Sequence, residues 1–301
     1  MVTDRDAPAR RLTLPLPRRY DFDETLRFVH AGPGDPTVRP RRGRWAKATR
    51  TPEGPATILI ERTSPTEAEV SIWGTGAGWL APRAAALLGL DDEPPAFAPH
   101  DPIAPLARRW NRVRLSRAPW PVETLAAYIL QQRVTFLDAV ASHRHLTRRF
   151  GAPAPGPERL LLPPEPAVLL KLPEFEWRRA GVDVQRMAAL RQLYRYAHRI
   201  AETADMTRED ARKRIAALHG VGPWTLEMTM GFGFADPDAV PIGDYNLPDI
   251  VAWMLAGEPR GSDERMLQLL EPYRGQRFRI LRWLYAAGVG APKFGPRAPR
   301  A

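Results

Sequence analysis

Leu218-His219-Gly220-Val221-Gly222-Pro223-Trp224-Thr225, with Asp244 following 22 residues after Gly222, is the stretch that decides the fold. Ala211, Ile215 and Leu218 recur at helical spacing and run directly into the two glycines. Gly220 and Gly222 are both expected at positive φ, the freedom a tight turn between two helices draws on. Pro223 suits the first turn of the next helix, where its missing N–H costs nothing. The free amides at that helix start would point outward with a positive dipole, so a phosphate oxygen can dock there. Such a contact positions a nucleic acid without reading its sequence. Gly-Val-Gly alone is equally explained by a helical hairpin with a glycine C-cap. The complete Leu-x-Gly-Val-Gly-x-x-Thr pattern is more specific.

Asp244 lies in Val240-Pro241-Ile242-Gly243-Asp244-Tyr245, ahead of a helix that has Pro248 in its first turn. One reading is an N-terminal helix cap, the commonest use of Asp in such a place. The other is a carboxylate held ionised by the helix dipole, stabilising an oxocarbenium-like sugar and orienting an attacking water. One carboxylate suffices when the leaving base is already cationic, as an alkylated purine is.

The 301 residues suffice for two domains with cores of their own, and 44% apolar with 26% charged residues is ordinary for a soluble globular chain. The absence of cysteine excludes disulfides, cysteine-ligated zinc and iron–sulfur clusters. No apolar run reaches membrane-spanning length, and Met1-Val2-Thr3-Asp4-Arg5-Asp6 lacks a signal-peptide pattern. A cytoplasmic, nucleoid-associated monomer is the expectation, since nothing supplies a long apolar dimer seam. The formal charge of +10 and pI near 10.4 fit a polyanionic partner. Arg108, Arg109, Arg112, Arg114, Arg117, Arg144, Arg148 and Arg149 could follow a phosphate backbone or simply solvate the surface.

The fold class read from the chain is α+β. Ala56 to Glu61 and Ala68 to Trp73 are β-branched runs around a Ser-Pro-Thr turn, which predicts a hairpin, and Tyr20 to His30 and Trp79 to Leu90 have helical periodicity. Pro, Ala and acidic residues from Asp91 to Pro105 mark a linker. Beyond Pro119 the pattern is helical throughout. Asp183 caps a stripe from Met187 to Ile200, and Thr207 with Asp210 forms a capping box. Ser262 opens a helix through Leu269, and the last helix runs from Gln276 to a stop at Gly288. The expected division is a disordered stretch over 1–12, a mixed α/β-sheet domain over 13–105, a helical domain over 106–290 and a basic disordered tail over 291–301.

An irregularity falls between Val122 and Phe150. In one continuous helix Arg133 would sit amid the apolar face of Val122, Ala126, Ile129, Phe136, Leu137 and Val140. Burying an unpaired guanidinium there is costly. Either a buried acid pairs with it or the helix breaks around Gln131-Gln132-Arg133, and the break is the expectation.

Leu218 to Thr225 followed by Asp244 resembles the helix–hairpin–helix DNA glycosylase superfamily, above all the 3-methyladenine DNA glycosylase II (AlkA) type. Tyr20 to Phe28, Ile129-Leu130-Gln131-Gln132 and Gly181 to Leu190 fall in family order. The resemblance implies an N-terminal TBP-like sheet domain on an all-α glycosylase bundle, acting on double-stranded DNA that contains a damaged base. It makes Asp244 the catalytic carboxylate. Trp224 takes the place of the Schiff-base lysine of bifunctional relatives, so the base is hydrolysed off without strand cleavage. The base pocket is expected from Trp224, Trp283, Phe28 and Met228, the last standing where an aromatic is usual. DNA contacts are expected from Gln132, His219, Gly220, Val221, Gly222 and Thr225, with Arg133 as the plug filling the gap left by the flipped base. No cofactor is required, while carbonyls of Ala216, Leu218 and Val221 are implied to hold a monovalent cation, sodium or potassium, at the hairpin. A non-catalytic DNA-binding protein using the same turn, and a glycosylase for another lesion, remain open. Gly74-Thr75-Gly76-Ala77-Gly78 has the wrong spacing for a dinucleotide fingerprint. His143 and His145, two apart, are read as surface or phosphate contacts rather than metal ligands.

Overall fold

The computed structural model describes residues 7–96 and 102–292. Five strands, β1 (Arg10–Pro15), β2 (Val38–Arg41), β3 (Arg44–Thr51), β4 (Gly54–Ser64) and β5 (Glu67–Trp73), form one antiparallel sheet in the order β1-β5-β4-β3-β2. The expected hairpin is β4–β5, with Ile58 opposite Ile72 and Ile60 opposite Val70. β1 pairs along β5 and lays Leu12 and Leu14 against the sheet core, so residues 10–12 of the stretch expected to be disordered belong to a strand. Short helices α1 (Phe22–Leu26), α2 (Ala77–Leu80) and α3 (Ala84–Leu87) share that core. The periodic run from Trp79 to Leu90 is interrupted by a 3₁₀ turn at Ala81–Arg83, where Pro82 removes a helix donor.

Two helical cores follow. The first gathers Leu125, Ile129, Leu190, Leu193, Ile215 and Met230. It is built on α5 (Pro121–Leu130), α6 (Phe136–Phe150), α7 (Pro166–Lys171), α8 (Glu174–Arg179), α9 (Val184–Arg195), α10 (Ala197–Ala201), α11 (Arg208–Ala216) and α12 (Pro223–Phe234). The two-residue strands β6 (Ala152–Pro153) and β7 (Leu161–Leu162) pair within this stretch. The second core holds Trp110, Val251, Met266, Leu281 and Trp283. It joins α13 (Leu247–Ala256), α14 (Asp263–Leu270) and α15 (Arg277–Ala287) to α4 (Ala104–Trp110). The expected boundary at residue 105 therefore cuts α4, whose apolar side belongs with the C-terminal helices. Residues 293–301 of the expected tail and 97–101 of the expected linker lie outside the described residues.

The capping residues perform as their types predict. Asp183, Thr207 and Ser262 accept hydrogen bonds from the amides of Arg186, Asp210 and Arg265, and Gly288 ends α15 at φ 63°. The Met187–Ile200 stripe forms two helices, because the chain turns at Tyr196 (φ −106°, ψ 19°).

A buried polar knot ties the sheet to the helices. Asp35 accepts from the amides of Ala31 (3.0 Å) and Thr37 (2.9 Å) and from the Thr37 hydroxyl (2.8 Å), and it lies 3.1 Å from His143 Nε2. His143 is thus spent inside the protein rather than on a phosphate. Lys47, buried in β3, reaches Glu123 (2.8 Å) and the face of Trp120 (5.0 Å). Burial pushes the Asp35 carboxyl up, but His143 and Lys47 outweigh it and hold it well below the usual range. A folded pKa below the unfolded value contributes stability above about pH 4 that is lost as pH falls. Asp35→Asn is expected to cost about 3–5 kcal/mol at pH 7, with the gap from wild type narrowing below about pH 4 in denaturant titrations.

Candidate active site

The hairpin between α11 and α12 is built on one glycine conformation rather than the two expected. Gly220 has φ 89°, and a Cβ there would lie 2.6 Å from the Ala189 Cβ of α9. Gly222 instead takes an extended conformation (φ −86°, ψ 176°) as the N-cap of α12, and no atom lies within 4 Å of where its Cβ would be. A capping residue can be extended without glycine, so sterics within the protein do not explain this one. Pro223 follows in the first turn, and no side chain caps this helix start. His219, Gly220 and Gly222 are exposed, Val221 packs on the first helical core, and Leu218 anchors the turn from inside.

The α5–α6 connection breaks where Arg133 predicted. α5 stops at Leu130, α6 begins at Phe136, and Arg133 between them has φ 57°. That left-handed conformation carries strain for a side chain with a Cβ. The Arg133 guanidinium is exposed, with one 3.4 Å hydrogen bond to Gln185. Gln132 turns the other way: its amide donates to the Gly220 carbonyl (2.9 Å) and to Thr225 Oγ1 (2.8 Å). Gln132 and the buried Thr225, both expected at DNA, thus clamp the Arg133 loop to the hairpin.

Asp244 sits where the two helical cores meet, between α12 and α13. Its Oδ1 accepts from the amides of Asn246 and Leu247, both at 2.9 Å, which closes the turn leading into α13, whose N-cap position is Asn246. Its Oδ2 accepts from the indole Nε1–H of Trp224 at 2.8 Å. Gly243, at φ 84°, gives its amide to Asp263 (2.9 Å), fixing the approach to the loop. One oxygen of Asp244 thus holds the entry to α13 and the other holds the Trp224 indole.

Behind Trp224 lies a chain of rings. Tyr128 meets Trp224 edge-on at 6.2 Å and stacks on Phe232 at 6.1 Å. Phe232 in turn contacts Phe28 (5.6 Å), Phe278 (4.9 Å) and Tyr285 (5.8 Å). Burial pushes the Tyr285 hydroxyl well above its ordinary range, and the Asp244 charge adds to that rise, which places Tyr285 in the field of the carboxylate. Of the expected pocket residues, Trp224 and Phe28 belong to this chain, and Met228 is buried on α12 between Trp224 and Phe232. Trp283 does not belong. It is 1% exposed within the C-terminal core, because at about 100° per residue it points away from the face shared by Phe278, Arg282 and Tyr285. The spacing of those three residues at i, i+4 and i+7 was the signal that could have identified them.

A helix–hairpin–helix leading to a fixed carboxylate beside an aromatic cluster defines the helix–hairpin–helix DNA glycosylase fold, and this chain has that fold. Its backbone is similar to the 3-methyladenine DNA-glycosylase from Archaeoglobus fulgidus, with a TM-score of 0.77 at 17% identity, covering 91% of this chain and 97% of that one. It also resembles the 8-oxoguanine glycosylase/lyase of Clostridium acetobutylicum bound to double-stranded DNA (TM-score 0.62, 12% identity, 90% and 92% covered). Mag1, the 3-methyladenine DNA glycosylase of Schizosaccharomyces pombe solved with abasic DNA, gives 0.53 at 15% identity, with 71% and 100% covered. In sequence, 105 residues are 28% identical to YfjP of Bacillus subtilis, whose name gives it provisionally as a DNA-3-methyladenine glycosylase. That match spans 33% of this chain and 35% of the relative. No protein-family model matches the sequence.

Proposed function

We propose that this chain is a monofunctional DNA glycosylase that flips alkylated, 3-methyladenine-like purines out of duplex DNA and hydrolyses their N-glycosidic bond, as in base excision repair. The observation that carries the reading is Asp244, held by Trp224 and two backbone amides beside the ring cluster. In the reaction the bond from C1′ to the base nitrogen breaks and its electron pair leaves with the base. The Asp244 carboxylate stabilises the positive sugar that results. Water then bonds to C1′ and passes a proton to the Asp244 carboxylate, which returns it to solvent, leaving an abasic site. With Trp224 at the lysine position, α12 offers no amine for a Schiff base.

The N-terminal sheet is read as the TBP-like platform of the AlkA type. The hairpin amides at the uncapped start of α12 take a DNA phosphate, with His219 beside them, and the open space at Gly222 leaves room for that approach. The carbonyls of Ala216, Leu218 and Val221 lie where α11 ends, a place of partial negative charge that suits a sodium or potassium ion. Leu218 already accepts from the Val221 amide at 3.1 Å, which leaves its second lone pair for an ion. Such an ion would add positive charge to the phosphate site.

Arg133 fills the stack after flipping. Its strained φ persists because Gln132 pins the loop to the hairpin. Arg133→Gly is expected to relieve the backbone strain, leaving stability equal or higher, while base release in single turnover falls by roughly tenfold or more.

The enzyme is read as a cytoplasmic monomer working at the nucleoid. Among the described residues no helix is long and apolar enough to cross a membrane. The deciding experiment incubates duplexes carrying alkylated, deaminated and oxidised bases with the protein and weighs the released bases. Release of alkylated purines with intact strands is expected. No release from any duplex, whatever stands at position 244, is the result of a non-catalytic DNA-binding protein.

A further inference from the structure

A cleft of about 440 Å³ opens between the 3₁₀ turn at Ala81–Arg83 with α3 and the 3₁₀ turn at Glu202–Asp205. Arg83 and Arg117 line it, and their charges are treated differently. Arg83 is matched: it pairs with Asp205 and lies over the Trp79 ring at 3.9 Å. Arg117 is half-buried and uses one nitrogen, Nη2, to reach the carbonyls of Ala204 (2.8 Å) and Met206 (3.0 Å). Among the described residues nothing takes its Nε and Nη1, and no carboxylate bonds to it.

Arg208 stands beside Arg117. Both reach the end of α12, Arg117 through a backbone bridge to Phe234 and Arg208 through a 3.3 Å bond from Nε to the Phe234 carbonyl. Among the described residues no carboxylate pairs with Arg208 either. Burial, followed by the charge of Arg208, pulls the pKa of Arg117 down against the fields of Asp205 and Asp91. Asp91 is exposed, so solvent and salt screen its contribution. Two neighbouring guanidiniums are left at this cleft without a bonded counter-charge.

The cleft lies at the opposite end of the helices from the hairpin. α11 and α12 meet at the hairpin, and α5 ends on the loop that Gln132 clamps to it. The other ends of all three helices lie at the cleft, beside Arg208, Phe234 and Pro119. The 9 to 12 residues of these helices span about 13–18 Å. A duplex gripped at the hairpin therefore does not fill the cleft.

We infer that this cleft binds a nucleoside monophosphate, with the phosphate on Arg117 and Arg208 and the ring on the apolar walls. The inference does not depend on the glycosylase reading. Arg117 keeps the N–H groups of Nε and Nη1 for phosphate oxygens, a charge-assisted contact. With Arg83 matched by Asp205, the two remaining cations meet the charge of about −2 on a phosphate monoester. A single carboxylate would leave one of them unmatched. A bare phosphate would leave most of the cleft unused, since its volume is that of a small-molecule pocket. Pro82, Ala86, Pro119 and Met206 supply side chains that give a phosphate nothing, whereas they suit a ring face.

The test is isothermal titration of the full chain with adenosine monophosphate (AMP), adenosine and inorganic phosphate at constant ionic strength. AMP is expected to bind at one site with a Kd below about 1 mM, at least tenfold tighter than adenosine or phosphate alone. Arg208→Gln is an exposed change that breaks no ion pair, and it should weaken AMP by about tenfold with an unchanged melting temperature. Arg117→Lys should weaken it by a similar factor. Saturating undamaged duplex should leave the AMP affinity within about twofold, because hairpin and cleft are separate. Loss of AMP binding on adding duplex would put the nucleotide at the hairpin and overturn the site. AMP binding unchanged in Arg208→Gln overturns it as well. Phosphate binding as tightly as AMP would mean an adventitious ion only, and no AMP binding by the wild type up to about 10 mM would leave the cleft without this ligand.

Discussion

Asp244→Asn is expected to lower base release from lesion DNA by on the order of 10²–10³-fold with little change in lesion-DNA affinity. Asparagine keeps the shape and removes the charge, and charge is what a developing oxocarbenium requires. Its carbonyl oxygen can still accept the amides of Asn246 and Leu247, so the start of α13 survives. The other branch becomes an NH₂ facing the Trp224 Nε1–H, and two donors then meet where Oδ2 had accepted at 2.8 Å. Leaving that partly buried donor unmatched costs about 1–3 kcal/mol. Adding Trp224→Phe removes the conflict, so the double variant should recover stability without recovering activity. Single-turnover base release and thermal melts on the wild type, the two single variants Asp244→Asn and Trp224→Phe, and the double variant separate the two effects. Full activity in Asp244→Asn would remove Asp244 from the chemistry.

The parts legible in the sequence are those set by local rules. Three helix caps, the β4–β5 hairpin and the break at Arg133 follow from residue type and spacing within a few positions. What was not legible depends on distant partners. β3 reads poorly as a strand because Lys47 occupies an inward position, and its charge is matched there by Glu123 and Trp120, more than seventy residues on, beside the nearer Thr37 hydroxyl. The expected boundary at residue 105 fell inside α4 because the apolar side of that helix is completed by helices more than a hundred residues later. Trp224 was expected as a pocket wall from resemblance alone, and its hydrogen bond to Asp244 requires the first turn of α12 and the loop before α13 to meet. Trp283 shows the opposite failure. Resemblance placed it in the pocket, and one residue of helical phase puts it in the C-terminal core and leaves Phe278, Arg282 and Tyr285 facing the ring chain.

Gly220→Ala and Gly222→Ala are expected to separate folding from DNA binding. At Gly220 a Cβ would meet Ala189 at 2.6 Å, and φ 89° is itself unfavourable for alanine. Strain of about 1–3 kcal/mol and a forced repacking of similar size should destabilise the protein and loosen the hairpin that Gln132 holds. At Gly222 the backbone conformation suits alanine and no protein atom lies within 4 Å of the new methyl, so stability should change by less than about 1 kcal/mol. The methyl would instead occupy the space through which a phosphate reaches the α12 amides. Affinity for undamaged and damaged duplex alike should fall, on the order of tenfold, because the contact carries no sequence information. A lost phosphate contact also flattens the salt dependence of binding by up to about one unit of log K per log salt. Fluorescence anisotropy across a salt series, beside denaturant melts, measures both quantities. A Gly222→Ala protein that binds DNA like the wild type would mean that the hairpin does not grip the backbone, whatever its resemblance to turns that do.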